Sequence, residues 1–249
     1  MEGVGFMLTI VLLTALGVGG STMLGALGGY CFRGAASRAG GGIAMAFAAG
    51  IMLSAAVVGL ILPSLEGGGA WAVPVTVGGI LAGGGFLLGL ERLAARWQRR
   101  AGAITAEGSR VLLFVAAMAI HNLPEGLAAG VGFGTESLAR ALAIAGGIAA
   151  QNLPEGMVLV APMLHAGVPP RRALALAMAT GVVELIGVPL GYLAVSLSAV
   201  ALPFLLAFAG GAMLFILCDD MLPACHGTKQ TCALLLGFCL MLTMDYALG

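Results

Sequence analysis

HNLPEG at residues 121–126 and QNLPEG at residues 151–156 are nearly the same six-residue motif, written twice. Each copy lies inside a long apolar run and carries one carboxylate, Glu125 in the first and Glu155 in the second. An acidic side chain at the centre of a membrane helix costs about 2.5–3.5 kcal/mol on insertion scales. If these runs cross a membrane, the two motifs therefore predict a functional site.

The composition assigns the chain to the membrane proteins. Of 249 residues, 60% are hydrophobic and 9% are charged, and the mean hydropathy is +1.08. Soluble domains carry about 25% charged residues. The apolar runs are continuous, without the alternation of a β-barrel strand, which favours helical spans in a lipid bilayer. The chain is predicted to be an all-α integral membrane protein.

Eight apolar runs are long enough to cross a membrane, since a span needs about 20 residues. They lie at about 4–30, 41–63, 72–95, 110–132, 138–164, 173–196, 201–221 and 231–248. The first run follows an acidic start rather than a basic one and is too long for a signal peptide, so we expect it to be retained as a helix. The longest polar interruption, 95–108, is short. One eight-helix bundle over residues 1–249 is therefore predicted.

The basic residues predict the orientation. Ten of the eleven lie in the loops that join an odd-numbered span to the next even-numbered one, and Arg140 is the exception. Short loops rich in Lys and Arg are usually cytoplasmic, which places both termini outside. Because these charges are scattered over four loops in a chain of zero net charge, nucleic acid is excluded as a partner.

Depth and spacing bring the two motifs together. His121 lies eleven residues after Arg110 on the fourth span, about 16 Å along a helix. Gln151 lies thirteen residues after Leu138 on the antiparallel fifth span, about 20 Å from the opposite side. The i, i+4 spacing places each motif's Glu on the same helix face as its first residue. We expect the motifs to face each other near the bilayer midplane.

Further polar groups extend this constellation. Pro124 and Pro154 free the carbonyls of Ile120 and Ala150 from their normal intrahelical donors, and Asn122 and Asn152 offer amide oxygens. Glu184 reaches a similar depth on the sixth span. Three buried carboxylates repel one another unless they are protonated or bridged by a cation. Imidazole, carboxylates and amide oxygens suit Zn²⁺, Cd²⁺, Fe²⁺ or Mn²⁺. The alternative is structural: a proline kink with a carboxyl group hydrogen-bonded to a neighbouring helix.

At these residues the sequence resembles the ZIP (Zrt-, Irt-like) divalent-metal transporters, particularly their short prokaryotic members. The resemblance includes the two motifs, Glu184, the run Phe47–Ser54 and the run Asp219–Pro223. It implies metal entry into the cytoplasm across a bacterial inner membrane, with one helix group moving against another, and a homodimer is one candidate assembly. The implied site residues are His121, Glu125, Gln151 and Glu155 with Met52 nearby, and an adjoining second site of Asn122, Asn152 and Glu184.

The chain departs from this family in three places. Some relatives carry Asp where Asn152 stands, so the second site has one charge fewer here. The loop between the third and fourth spans lacks the histidines of many relatives. Asp219 and Asp220 replace a common His-Glu pair, and with Cys225 and His226 they form a candidate cytoplasmic release site, the alternative being solvated acids at a loop end. His165 is expected at the membrane interface.

Other function classes fit less well. A membrane metalloenzyme would need a catalytic motif such as HExxH or GxSxG, and the sequence contains neither. No catalytic cofactor is therefore expected, and divalent metal is the transported substrate. A passive channel or a proton-coupled carrier for another cation remains the alternative, because buried acids also serve proton relays.

Overall fold

The computed structural model describes residues 2–31, 38–67, 69–100, 106–135, 137–197 and 199–248. Every regular element in these ranges is helical. The helices are α1 (Glu2–Cys31), α2 (Arg38–Ser54), α3 (Leu62–Gly67), α4 (Ala72–Arg100), α5 (Ala106–Val131), α6 (Leu138–His165), α7 (Pro170–Leu197), α8 (Leu202–Ile216) and α9 (Thr228–Leu248). The expectation of an all-α fold is confirmed.

Seven helical stretches in the described part of the chain are long and apolar enough to cross a membrane. They are Gly5–Cys31, Gly42–Gly67, Gly69–Arg96, Phe114–Gly134, Pro170–Leu197, Leu202–Met221 and Thr228–Ala247. Helix α6 is comparably long, at 28 residues, but Gln151, Asn152 and Glu155 near its middle lower its hydropathy. The fold is that of an integral membrane helix bundle.

Two of the spans change their helical geometry part-way. The second begins as α2, continues as the π-helix Ala55–Ile61 and ends as α3. The seventh begins as α8 and continues as the π-helix Leu217–Met221. A π segment inserts extra backbone into a helix turn and is frequent at functional sites. The predicted spans 41–63 and 201–221 are thus present, each with a local irregularity.

The helices divide into two groups. In the first group, α1 packs against α6 and α7, and α5 packs against α7. In the second group, α2 packs against α9 and α4 against α8, and the π-helix Ala55–Ile61 joins these pairs through its contacts with α8 and α9. The groups meet mainly where α2 contacts α6 and α5 contacts α8. All the buried carboxylates of the predicted site lie in the first group.

Glycines allow backbones to touch within each group. A Cβ on Gly156 of α6 would collide with the carbonyl oxygen of Thr22 on α1. A Cβ on Gly130 of α5 would collide with the carbonyl oxygen of Val188 on α7. Small residues permit this approach, which gives helices in lipid their van der Waals contact. The helices that carry the polar motifs therefore make backbone-to-backbone contacts with their neighbours.

Candidate metal site

The first motif lies on α5 and the second on α6, and both face the protein interior. His121 is 4% exposed and Glu125 is 0% exposed, while Gln151 is 0% and Glu155 3% exposed. The i, i+4 spacing on each helix aligns the two side chains of a motif, as predicted. Four polar side chains from two helices thus share one buried region.

The imidazole of His121 lies between two carboxylates. Its Nε2 atom is 3.4 Å from Oε2 of Glu155 and 3.7 Å from Oε1 of Glu125. One ligand atom from each of these three residues lies within 4.8 Å of the other two. Ligands bound at about 2.0–2.2 Å around one tetrahedral ion stand about 3.4 Å apart. The three side chains therefore have the spacing that one small divalent cation requires.

Gln151 connects the two motifs by a hydrogen bond. Its amide Nε2 donates to Oε1 of Glu125 at 2.5 Å. This bond leaves Oε1 of Gln151 and Oε2 of Glu125 buried with no hydrogen-bond partner among the described residues. The amide thus orients the carboxylate of Glu125 and presents an oxygen of its own.

Five buried nitrogen and oxygen atoms of the predicted site residues lack a hydrogen-bond partner in the part of the chain that the structure describes. They are His121 Nε2, Glu125 Oε2, Gln151 Oε1, Asn152 Oδ1 and Glu155 Oε1. Burying one unsatisfied polar group costs about 1–3 kcal/mol, and more when it is charged. A cation bound by His121, Glu125 and Glu155, whose ligand atoms lie within 4.8 Å of one another, would satisfy the unpartnered atoms of those three residues. The donor set fits zinc-like ions, which take nitrogen and oxygen ligands.

Glu184 of α7 is held by hydrogen bonds beside this cluster. Oγ1 of Thr22 donates to Oε1 at 2.8 Å and approaches Oε2 at 3.0 Å. Asn152 donates from Nδ2 to Oε2 at 2.7 Å. Glu184 is 0% exposed. The structure thus brings Asn152 and Glu184 together and adds Thr22 as a partner, while their role as metal ligands stays a prediction.

Two further predicted residues, Asn122 and Met52, are buried. Asn122 is 2% exposed, and its Nδ2 has no partner among the described residues. Met52 is 0% exposed and packs in the core on α2. Their roles as ligands stay predictions.

Comparison with known proteins shows the family to which the chain belongs. A model of the ZIP zinc transporter family matches residues 98–245, which include both motifs and Glu184. The zinc transporter GufA of Myxococcus xanthus is 37% identical over 203 residues, covering 76% of this chain and 80% of GufA. The chain belongs to the ZIP zinc transporter family. Zinc transporter ZIPB of Bordetella bronchiseptica is 36% identical over 242 residues, covering 92% of this chain and 78% of ZIPB. Human zinc transporter ZIP11 is 45% identical over 152 residues, covering 56% of this chain and 44% of ZIP11.

The candidate release site of this ZIP family member is less compact than the intramembrane cluster. Asp219 and Asp220 are exposed on the π-helix Leu217–Met221, and His226 is exposed in the loop that follows. Among the described residues, the metal-sized group of His, Cys, Asp and Glu is His121, Glu125 and Glu155. The release site therefore stays a prediction. The side chain of His165 lies outside the described residues.

The thiol of Cys225 is hydrogen-bonded to the preceding helical turn. Its Sγ donates to the carbonyl oxygen of Met221 at 3.1 Å. Burial raises the pKa of the Cys225 thiol above its usual value, because it disfavours the thiolate. Metals bind the thiolate, so metal binding at Cys225 requires loss of the thiol proton.

Two groups near these sites were not anticipated from the sequence. Thr22 on α1 binds Glu184, and Glu91 on α4 interacts electrostatically with Asp219 and Asp220. The adjacent pair Gly19 and Gly20 signals close helix contact in α1 but not the identity of the neighbour. Glu91 lies near the arginine-rich end of its helix, where a carboxylate is ordinary.

Proposed function

We propose that this protein transports a divalent transition metal of the zinc type across the membrane, and that His121, Glu125, Gln151 and Glu155 form the transport site. The observation that carries the proposal is the buried cluster of His121, Glu125 and Glu155, which has the spacing of a metal site and in which each residue has an atom without a hydrogen-bond partner among the described residues. The names of the relatives, which are zinc transporters, point to the same substrate. Zn²⁺ is the preferred candidate, with Cd²⁺, Fe²⁺ and Mn²⁺ as competitors.

Each side chain has a distinct task in this proposal. Glu125 and Glu155 supply two negative charges that balance a divalent ion. His121 supplies a nitrogen ligand, which favours Zn²⁺ and its neighbours over Ca²⁺ or Mg²⁺. Gln151 orients Glu125 and contributes its amide oxygen. An adjoining second position uses Asn122, Asn152 and Glu184, with Glu125 and Glu155 shared between the two positions.

Transport requires that the site open to each side of the membrane in turn. All proposed ligands except Met52 lie in the first helix group, so a metal ion would travel with that group as it moves against the second. We further propose that both termini lie outside a bacterial inner membrane and that metal leaves on the cytoplasmic side past Asp219, Asp220, Cys225 and His226. The concentration of Lys and Arg in the loops that join odd-numbered spans to even-numbered ones supports this orientation.

The test is metal uptake by the purified protein reconstituted in liposomes. We expect saturable Zn²⁺ uptake that Cd²⁺, Fe²⁺ and Mn²⁺ reduce to different extents when they are added in excess. A passive channel would conduct without saturation at low concentration, and a proton-coupled carrier for another cation would show uptake that transition metals do not compete for. Either result would replace this proposal by the corresponding alternative.

A further inference from the structure

Helix α1 contributes one polar side chain to the centre of the first group. Between Gly5 and Tyr30 this helix carries no charged residue. Thr22 lies in that stretch and is 2% exposed. Its Oγ1 is 2.8 Å from Oε1 and 3.0 Å from Oε2 of Glu184 on α7. The hydroxyl therefore reaches across the helix interface to a residue of the adjoining metal position.

Other threonines of this protein direct their hydroxyls differently. Thr9, Thr180 and Thr243 each donate to a carbonyl oxygen of the preceding turn of their own helix, at 2.7–2.8 Å. Such a bond satisfies a hydroxyl in an apolar helix without any partner from outside. Thr22 instead donates to the carboxyl group of Glu184 on a neighbouring helix.

The same turn of α1 also holds Asn152. Nδ2 of Asn152 donates to Oε2 of Glu184 at 2.7 Å and lies 3.3 Å from the carbonyl oxygen of Val18. Val18 precedes Thr22 by four residues, so both stand on one face of α1. Glu184 is thus held from two sides, and the Oδ1 atom of Asn152 is left without a partner among the described residues. The bonds orient the amide oxygen as well as the carboxylate.

Backbone packing fixes this arrangement. A Cβ on Gly156 of α6 would meet the carbonyl oxygen of Thr22, and a Cβ on Gly181 of α7 would lie 3.3 Å from the Cβ of Thr22. Helix α1 is therefore pressed against both α6 and α7 at the level of Thr22. A side chain of the same shape keeps this packing, and the presence of the hydroxyl can be tested separately from it.

We propose that Thr22 is a positioning residue for metal transport: it fixes the carboxylate of Glu184, together with Asn152, in the orientation from which Glu184 serves the adjoining metal position. Helix α1 is then part of the binding machinery rather than only a packing element. This inference rests on the proposed function, because it assigns Thr22 a role in metal affinity.

The test compares three variants for Zn²⁺ uptake in liposomes and for Zn²⁺ binding by calorimetry in detergent. Thr22→Val keeps the shape and removes the hydroxyl, and we expect the KM to rise about tenfold with little change in maximal rate, because Glu184 loses a hydrogen bond that orients it. Thr22→Ser restores the hydroxyl and the wild-type KM. Thr9→Val, which removes a hydroxyl bonded within the same helix, leaves the KM unchanged.

A double-mutant cycle separates positioning from packing. In a Glu184→Ala background, Thr22→Val should cause no further loss of Zn²⁺ affinity, because its effect acts through Glu184. Three results would each overturn the inference: a wild-type KM for Thr22→Val, a Thr22→Ser variant as defective as Thr22→Val, or additive losses in the cycle. None of them would overturn the proposed function as long as the wild-type protein takes up Zn²⁺. Absence of Zn²⁺ uptake and binding by the wild-type protein would instead overturn the proposed function, and the inference with it.

Discussion

Nε2 of His121 on α5 lies 3.4 Å from Oε2 of Glu155 on α6, so the first residue of one motif meets the acid of the other. The pair crosses between two antiparallel helices near the middle of each. Because Oε1 of Glu155 and Nε2 of His121 lack hydrogen-bond partners among the described residues, the contact leaves both groups able to accept a cation. This pair is the centre of the proposed transport site.

Replacing either member of the pair should abolish or strongly reduce metal uptake. His121→Ala and Glu155→Ala each remove one proposed ligand, and loss of a ligand or of its supporting partner typically lowers metal affinity at least 10–100-fold, an approximate range. Uptake in liposomes, normalised to protein incorporated, measures the effect. Glu66→Ala, which removes an exposed carboxylate on α3, is the control and should retain uptake. Near-normal uptake by His121→Ala or Glu155→Ala would refute the site assignment.

Glu184→Gln tests the adjoining position. The substitution keeps the size of the side chain and removes its charge, so we expect fewer bound metal ions per protein and a changed affinity or rate of uptake. The damage should be smaller than that of His121→Ala, because the main site keeps its own ligands. Metal content after dialysis, measured by mass spectrometry against protein concentration, gives the stoichiometry. A ratio equal to that of the wild type would show that no second position is occupied.

The membrane fold and the central contact could be predicted because they depend on length and spacing. The apolar runs indicated the spans, and the helical rise placed His121 and Gln151 at similar depths. The predicted end of the third span at residue 95 fell short of Arg100, where α4 ends. Long basic side chains can follow a helix into the interface while their charges reach water, so hydropathy underestimates the length of such a helix.

The contact between Thr22 and Glu184 could not be predicted in the same way. Helices α1 and α7 are apolar on nearly all sides, so their sequences do not show which face turns toward which neighbour. That choice depends on glycine contacts such as Gly19 against the carbonyl oxygen of Gly181, which require the packed structure. The π segments at Ala55–Ile61 and Leu217–Met221 also had no sequence signal that we could identify.

A single glycine substitution should separate α1 from α6. Gly25→Ala places a Cβ against the carbonyl oxygen of Leu153 and 3.0 Å from Cα of Gly156, both backbone atoms that cannot turn away. Overpacking of this kind costs about 1–3 kcal/mol, so the midpoint of thermal unfolding in detergent should fall. Gly17→Ala on the same helix meets nothing within 4 Å and should leave the midpoint unchanged or slightly higher. Equal midpoints for the two variants would contradict the packing described here.

Cys225 should react slowly with alkylating reagents near neutral pH. Its raised pKa means that less thiolate is present at a given pH than for a free thiol. In a variant whose other four cysteines are replaced by alanine, iodoacetamide should label Cys225 more slowly in the native protein than in SDS, and the native rate should still be rising above about pH 8.5. A native rate that levels off at lower pH would indicate a stabilised thiolate and would contradict the raised pKa.

Metal binding should release protons, so that affinity rises with pH. A divalent ion needs carboxylate oxygens and a neutral imidazole nitrogen, and protons compete for those same atoms on Glu125, Glu155 and His121. Raising the pH removes this competition until the groups are deprotonated in the metal-free protein as well. Calorimetric titration with Zn²⁺ in buffers of different ionisation enthalpy, between about pH 6 and 8, measures the number of protons released. Glu66→Ala should show the same buffer dependence as the wild type, because its exposed carboxylate lies outside the cluster. A binding enthalpy independent of the buffer, with an affinity flat over that range, would show that no protons are exchanged. In that case the three groups would already be in their metal-binding forms before the ion arrives, and proton uptake could not assist release of metal.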